Sequence, residues 1–257
     1  MKIHRGIGVC HYNRLGNLPG ILQAVCETAP ENCKIVVADD GSDELWGRDP
    51  GDQLSVTKIC REAGVLLIQG PNLGVAANKN RALWALQDCQ FITLLEDDLK
   101  PNQKGWFECY EQAASISGVH HFCRVQAKQA HETIDSFSAF LAKHKLTPIY
   151  ASSPRGDLTF LTSTVLHRVG AFNPQFRGAG YAHGEWSGRV ARAGLIGHPL
   201  KWIDIEQARD RFEQVGDTYG GRWEMSEEQL KVQLNRNKRV FRELEKSNYT
   251  HCPLVLE

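Results

Sequence analysis

Over its first hundred residues the chain switches repeatedly between unbroken apolar runs and apolar positions at helical spacing. "GIGVCHY" (6 to 12) is an apolar run that gives way to a polar loop, and "LPGILQAVCET" (18 to 28) then shows helical spacing with Pro19 near its start. "KIVVADDGS" (34 to 42) predicts a second strand ending in acids, and "LSVTKICREAG" (54 to 64) a helix stopped by Gly64. "VLLIQG" (65 to 70) predicts a third strand, "GVAANKNRALWALQD" (74 to 88) a third helix and "FITLLEDD" (91 to 98) a fourth strand. Strands alternating with helices favour a Rossmann-like, mainly parallel sheet covered on both faces, with ligands outside the carboxyl ends of the strands. The polar signals all fall at those ends.

The pattern is less regular afterwards. "QKGWFECYEQAASISG" (103 to 118) and "TIDSFSAFLAKHK" (133 to 145) read as helices, and "SSPRGDLTFLTSTVLHRVG" (152 to 170) as a loop, a strand and a short helix. "GEWSGRVARAGL" (184 to 195) predicts a helix ended by Gly194, followed by a strand around "HPLKWIDI" (198 to 205). "MSEEQLKVQLNRNKRVFRELEKS" (225 to 247) is a long amphipathic helix opened by a capping box of Ser226 with Gln229. No repeat or low-complexity linker divides the 257 residues, so one compact α/β unit is expected, with residues 1–100 as one half and 101–257 as the other.

Composition removes several classes. Thirty basic and thirty acidic residues cancel without a block of like charge, which makes a nucleic-acid partner unlikely. No apolar run is long enough to span a membrane and the N-terminus lacks a secretion signal, so a soluble, cytoplasmic protein is expected. The eight cysteines, without a CxxC pair, read as reduced and mostly buried.

The candidate chemistry centres on "FITLLEDDLKP" (91 to 101), where an apolar strand stops on Glu96, Asp97 and Asp98. Adjacent carboxylates raise one another's pKa, so a positive partner is expected there, although acids also cap helices and finish solvated strands.

"GVCHYNRLGNLPGIL", "VVADDGS", "NLGVAANKNRAL" and "LLEDDLKP" follow in the order and spacing of the inverting glycosyltransferases of family 2, which have the GT-A fold, and the chain resembles that family over about its first hundred residues. The resemblance resumes more loosely at "VGAFNPQF" (169 to 176) and "GYAHGEWSGRVARAG" (180 to 194). It implies a hexosyltransferase moving a sugar from a nucleotide-sugar donor, expected to be UDP-linked, to a hydroxyl of a glycan or glycoconjugate acceptor. Residues 1–100 would bind the donor, and 101–257 would bind the acceptor and supply the base.

Glu96 and Asp98 match the outer acids of the family's metal-binding DxD-like motif. Hard carboxylate oxygens there would hold Mn²⁺ or Mg²⁺ against the leaving diphosphate, leaving Asp97 for ribose or sugar hydroxyls. Asp39 and Asp40 fall where the family places a carboxylate against the base edge, though Asp-Gly-Ser is also a common turn. Tyr12 and Asn13, beside His11, follow the first strand where an aromatic would pack on the base, and Tyr12 equally suits a core. Asn72 and Gly74 open the helix near the phosphates, and Lys79, with Asn80 beside it, stands where the family commonly directs an arginine at the diphosphate. Arg81 reads as a solvated helix residue, or as a substitute for Lys79 if the register differs by a residue or two. The family's acidic pair, source of its base, is here Ala182 and His183. Glu185 is therefore the first candidate base and His183 the second, with His183 also a candidate metal ligand and Arg189 at the family's arginine position.

Asp157 could bind acceptor or donor sugar. Trp186, Trp202 and Trp223 could stack on sugars or fill the core, and "GDTYGGRW" (216 to 223) has the glycines of a loop able to close over the donor. Two other classes compete. A non-catalytic nucleotide-sugar-binding protein on a degenerate transferase fold is favoured by Ala182. A sugar nucleotidyltransferase is disfavoured because "HYNRLGN", and not a glycine-rich basic loop, follows the first strand.

Overall fold

A computed structural model describes residues 4–42, 55–125, 130–131, 136–151, 154–196, 202–216 and 226–255. Its main sheet contains β1 (Arg5–His11), β2 (Cys33–Asp39), β3 (Leu66–Gln69), β4 (Phe91–Glu96), β6 (His121–Val125) and β9 (Pro154–Thr162), in the order β3-β2-β1-β4-β9-β6. The first four strands are parallel, and β9 runs antiparallel to both β4 and β6. Alternation of side chains divides the core into two layers. Ile7, Val9, Val37 and Leu95 join one apolar cluster, and Val36, Ala38, Ile92 and Leu94 join the other. Burial on both faces is why these strands read as continuous apolar runs.

Helices α1 (Leu18–Thr28), α2 (Val56–Ala63) and α3 (Val75–Leu86) follow β1, β2 and β3. Ser55 caps α2 by accepting from Lys58 N, and Gly64 ends it in the left-handed region at φ 69°. Helix α3 packs tightly on the sheet because Gly8 of β1 has no side chain. A Cβ there would lie 2.8 Å from the Ala82 Cβ. Most of α3 is therefore buried, including Asn78, Lys79, Asn80 and Arg81, where the sequence predicted a solvated Arg81.

Two short strands, β5 (Leu99–Pro101) and β11 (Phe212–Gln214), pair next to the end of β4, and β7 (Ala130–His131), β8 (Pro148–Ala151) and β10 (Trp202–Ile205) form a further small sheet in the order β10-β8-β7. The remaining helices are α4 (Trp106–Ser117), α5 (Ser136–Ala142), α6 (Ser163–Arg168), α7 (Ala182–Arg192), α8 (Glu206–Arg209) and α9 (Glu227–Lys246). The capping box at Ser226 and Gln229 is present on α9. No helix among the described residues is long and apolar enough to cross a membrane. Residues 217–223 of the "GDTYGGRW" loop, Trp223 included, lie outside the described residues.

Candidate donor site at the strand ends

The carboxyl ends of β1, β2 and β4 converge on a cavity of about 440 Å³. Tyr12, Asp40, Asn72, Gly74, Glu96 and Asp97 line it, together with Asn78, Arg177, Gly178 and Gln233. Each strand end brings its polar residues there because the sheet is parallel, so β1, β2 and β4 all finish at the same edge.

Asp40 is a latch as well as a wall. Its carboxylate accepts from Leu73 N at 3.1 Å, Gly74 N at 2.7 Å and Arg81 Nη1 at 2.6 Å, fixing the turn into α3. Burial lifts its pKa above the ordinary carboxylate value, against the opposing pull of Arg81 and the two amides. Asp39 is fully buried and accepts from Ser42 N at 3.0 Å, so it holds the Asp-Gly-Ser turn and does not line the cavity. Asn13, at φ 52°, donates its amide to Ser42 Oγ and likewise serves that turn. Gly74 is required where it stands, because its φ is 97° and an added Cβ would overlap the backbone of Gly178.

The three acids part company. Strand β4 stops at Glu96 and the chain turns at 97–98, so the alternation that would place Glu96 and Asp98 on one face no longer holds. Glu96 faces the cavity with Lys79 Nζ 3.4 Å away. Asp97 also lines it, accepting from Tyr12 N at 3.0 Å and lying 2.9 Å from His11 Nδ1. Asp98 instead meets Arg14 Nη1 at 3.2 Å, and its backbone carbonyl accepts from Val215 N. The hard oxygens of Glu96 and Asp97 suit Mn²⁺ or Mg²⁺, whereas Asp98 is absent from the cavity lining. Lys79 is also turned away from the cavity. Its ammonium donates to Gly156 O at 2.6 Å and sits 5.6 Å over the Phe172 ring.

Helix α7 places the first candidate base in a closed pair. The Glu185 carboxylate forms a two-point pair with Arg189, at 2.7 Å to Nε and 3.0 Å to Nη2. Arg189 also donates to the carbonyls of Val169 and Ala171. Both side chains are fully withdrawn from solvent, so the pair ties α7 to the chain after α6, and neither residue lines the cavity. The i, i+4 spacing on a helix explains why a family-like acid and arginine can satisfy each other.

His183, at the start of α7, lies beside Gly156 and stacks on Trp202, with Thr159 Oγ1 3.3 Å from Nδ1. Its Nε2 is buried without a hydrogen-bond partner. Burial, with help from the charge of Lys79, holds its imidazole well below the ordinary pKa, so it is neutral at neutral pH. His121 and Cys123 offer ligand atoms within 4.8 Å of His183, but the two His121 nitrogens already engage Phe160 O and Ser187 Oγ. Asp157, one residue beyond Gly156, is bracketed by Arg124 and Arg155, each at 2.8 Å. Trp186 is fully buried core and donates to Gly170 O.

Residues 7–116 match the model of the family described as Glycosyl transferase family 2. Residues 7–116 are thus similar to that family. This region covers every strand end that builds the cavity. Its structural likenesses include GalNAc-T7 with UDP, GalNAc and Mn²⁺, at a TM-score of 0.67 and 14% identity, covering 93% of this chain and 48% of that one. A second is the mannosyltransferase PcManGT from Pyrobaculum calidifontis with GDP-Man and Mn²⁺, at a TM-score of 0.50 and 17% identity, covering 79% of this chain and 56% of that one. The fold around the family 2 region is thus of the GT-A type, and the chain spans about half the length of the structures it matches. A 57-residue stretch is also 33% identical to the 3-isopropylmalate dehydratase small subunit of Streptomyces coelicolor, over 22% of this chain and 28% of that protein. So short a match fixes neither family nor activity.

Arg177, Gly178 and Gln233 escaped the sequence reading. They come from a loop and a helix far along the chain, and only folding brings them against Gly74.

Proposed function

We propose that the protein is a divalent-metal-dependent glycosyltransferase that moves a sugar, with inversion, from a nucleoside-diphosphate donor, UDP-linked in the first instance, to an acceptor hydroxyl of a glycan or glycoconjugate. One observation carries the reading: within the family 2 region, Tyr12, Asp40, Glu96 and Asp97 meet in a single cavity large enough for a nucleotide. The likenesses with UDP or GDP-Man and Mn²⁺ support it.

In this account Tyr12 packs on the base, and the turn pinned by Asp40 shapes the space beside the ribose. Glu96 and Asp97 would hold the Mn²⁺ or Mg²⁺, which when bound neutralises charge on the leaving diphosphate. Lys79 holds Glu96 in place from behind and keeps the Gly156 carbonyl fixed. His183 is the proposed base. It is neutral, its Nε2 has no partner, and it packs on the face of β9 at Gly156. A neutral imidazole can accept the acceptor's proton at that nitrogen while Nδ1 stays with Thr159. Asp157, with Arg124 and Arg155, forms the polar ground on which the acceptor would lie.

A non-catalytic sugar-nucleotide binder is the second reading, favoured by Ala182 in the acidic pair and by the closed Glu185–Arg189 pair. Incubation with a panel of UDP- and GDP-sugars in Mn²⁺, following release of the free nucleoside diphosphate, separates the two. Turnover that stops in excess EDTA is expected. Nucleotide binding with no turnover of any donor, with or without glycan acceptors, would favour the binder.

A further inference from the structure

Strand β6 carries two metal-binding side chains on one face. His121 and Cys123 are two residues apart, so strand alternation turns both to the same side of the sheet, and both are buried. His183 reaches that side from the start of α7, packed against Gly156 and 3.3 Å from Thr159 Oγ1, on the β9 residue that pairs with Cys123. Among the described residues, His121, Cys123 and His183 each offer a ligand atom, and these atoms all lie within 4.8 Å of one another. The two imidazole centroids are 5.9 Å apart.

The surroundings prepare both rings to bind through the same atom. His121 Nδ1 lies 2.9 Å from Phe160 O, and a carbonyl only accepts, so the ring proton is on Nδ1 and the Nε2 lone pair faces Ser187 Oγ at 2.8 Å. A serine hydroxyl rotates freely and can give up that contact. His183 Nδ1 is beside Thr159 Oγ1, and its Nε2 is buried with no hydrogen-bond partner. One ring nitrogen held by an oxygen, with the other turned inward, is the usual arrangement of a metal-bound histidine. Trp186 stands edge-on to His121 at 4.9 Å and Trp202 stacks on His183 at 5.7 Å, which fixes both ring planes.

We propose that His121, Cys123 and His183 form a second cation site, for Zn²⁺, separate from the hard-oxygen pair of Glu96 and Asp97. One sulfur and two imidazole nitrogens suit Zn²⁺ and are poor ligands for Mg²⁺ or Mn²⁺. On binding, the Cys123 thiol loses its proton to solvent, its sulfur and the two Nε2 lone pairs form the bonds to the ion, and the fourth tetrahedral position is left to water. Resting on the reading of His183 as the base, the lone pair that would take the acceptor's proton is then used in the bond to zinc, so the zinc-loaded transferase is silent.

The test is spectroscopic titration of the full chain with Co²⁺, standing in for Zn²⁺, in excess Mg²⁺ to fill the carboxylate pair. One equivalent is expected to raise a near-ultraviolet thiolate-to-cobalt absorption, which one equivalent of Zn²⁺ removes. Cys123→Ala should lose the band, with Cys123→Ser used if the alanine variant does not fold. Glu96→Gln should keep it, as should Cys26→Ser, a change at an exposed cysteine. In the same buffer, one equivalent of Zn²⁺ should lower wild-type turnover about 100-fold or more, reversed by a zinc-selective chelator, and should make no difference to Cys123→Ala. No thiolate band in the wild type, or a band that persists without the Cys123 thiol, overturns the site. A band together with full turnover of the zinc-loaded wild type overturns the inhibition. A wild type that turns over no donor in Mg²⁺ or Mn²⁺ overturns the transferase reading, and the cobalt spectrum then decides the metal site by itself.

Discussion

Glu96 and Glu185 each stand beside a basic side chain, but in opposite settings. Glu96 closes a parallel strand and looks into a cavity, with Lys79 3.4 Å behind it and 19% of its side chain exposed. Glu185 lies one turn into α7, almost wholly buried, with its two oxygens matched to the Arg189 fork and two further arginine hydrogens given to backbone carbonyls. A complete set of partners marks a carboxylate as part of the scaffold. A carboxylate that lines an open cavity is placed to receive a ligand.

The comparison breaks most visibly at Glu185. Glu185→Ala leaves Arg189 buried without its partner and should cost about 3–5 kcal/mol of stability by chemical denaturation, with turnover per folded molecule preserved. Turnover lost in parallel with a normal denaturation curve would return Glu185 to the chemistry. His183→Asn should give the reverse pattern, lowering kcat about 10²- to 10⁴-fold, the range for loss of a general base, with little change in nucleotide affinity. Next comes Glu96→Gln, expected to reduce kcat/KM about 100-fold and to weaken the Mn²⁺ dependence of nucleotide binding, with melting unchanged or improved.

The smallest effect is a pH response that sharpens the buried side of the comparison. His121 is pushed down to about 4 by burial, so between about 4 and the ordinary 6.5 the unfolded chain takes up the proton first and stability falls on acidification. Asp204 is pushed up to about 6, also by burial, so between about 3.8 and 6 the native form takes it up first and stability rises on acidification. The two oppose each other near pH 5. Asp204→Asn should expose the histidine and steepen the acid loss of stability by up to about 1.4 kcal/mol per pH unit, read from denaturation curves between pH 4 and 6.5.

The fold of the first hundred residues was legible because the strands are buried on both faces and the helices keep one period, so α1 runs over Leu18–Thr28 as the pattern predicts. Strand β6 went unread because "HFCRV" mixes polar and apolar residues, and its polar side chains are satisfied only in the fold, as His121 is by Phe160 O and Ser187 Oγ. Burial of Arg81 was hidden for the same reason, since its partner Asp40 lies 41 positions away. The acids of "EDD" predicted a cation site, but which two face the cavity depends on where β4 ends, and strand boundaries are weakly encoded. Arg177 and Gln233 had no local signal, because their placement depends on loops closing against a helix more than fifty residues later.

The most direct test of the donor account is calorimetric titration of the wild type and Glu96→Gln with UDP and GDP, in Mn²⁺ and again in excess EDTA. The account predicts that the wild type binds one of the two nucleotides in Mn²⁺, that EDTA abolishes the binding, and that Glu96→Gln is much less sensitive to the metal. Binding that is indifferent to EDTA and to Glu96, or absent under every condition, would contradict a metal-assisted nucleotide-sugar site at the strand ends.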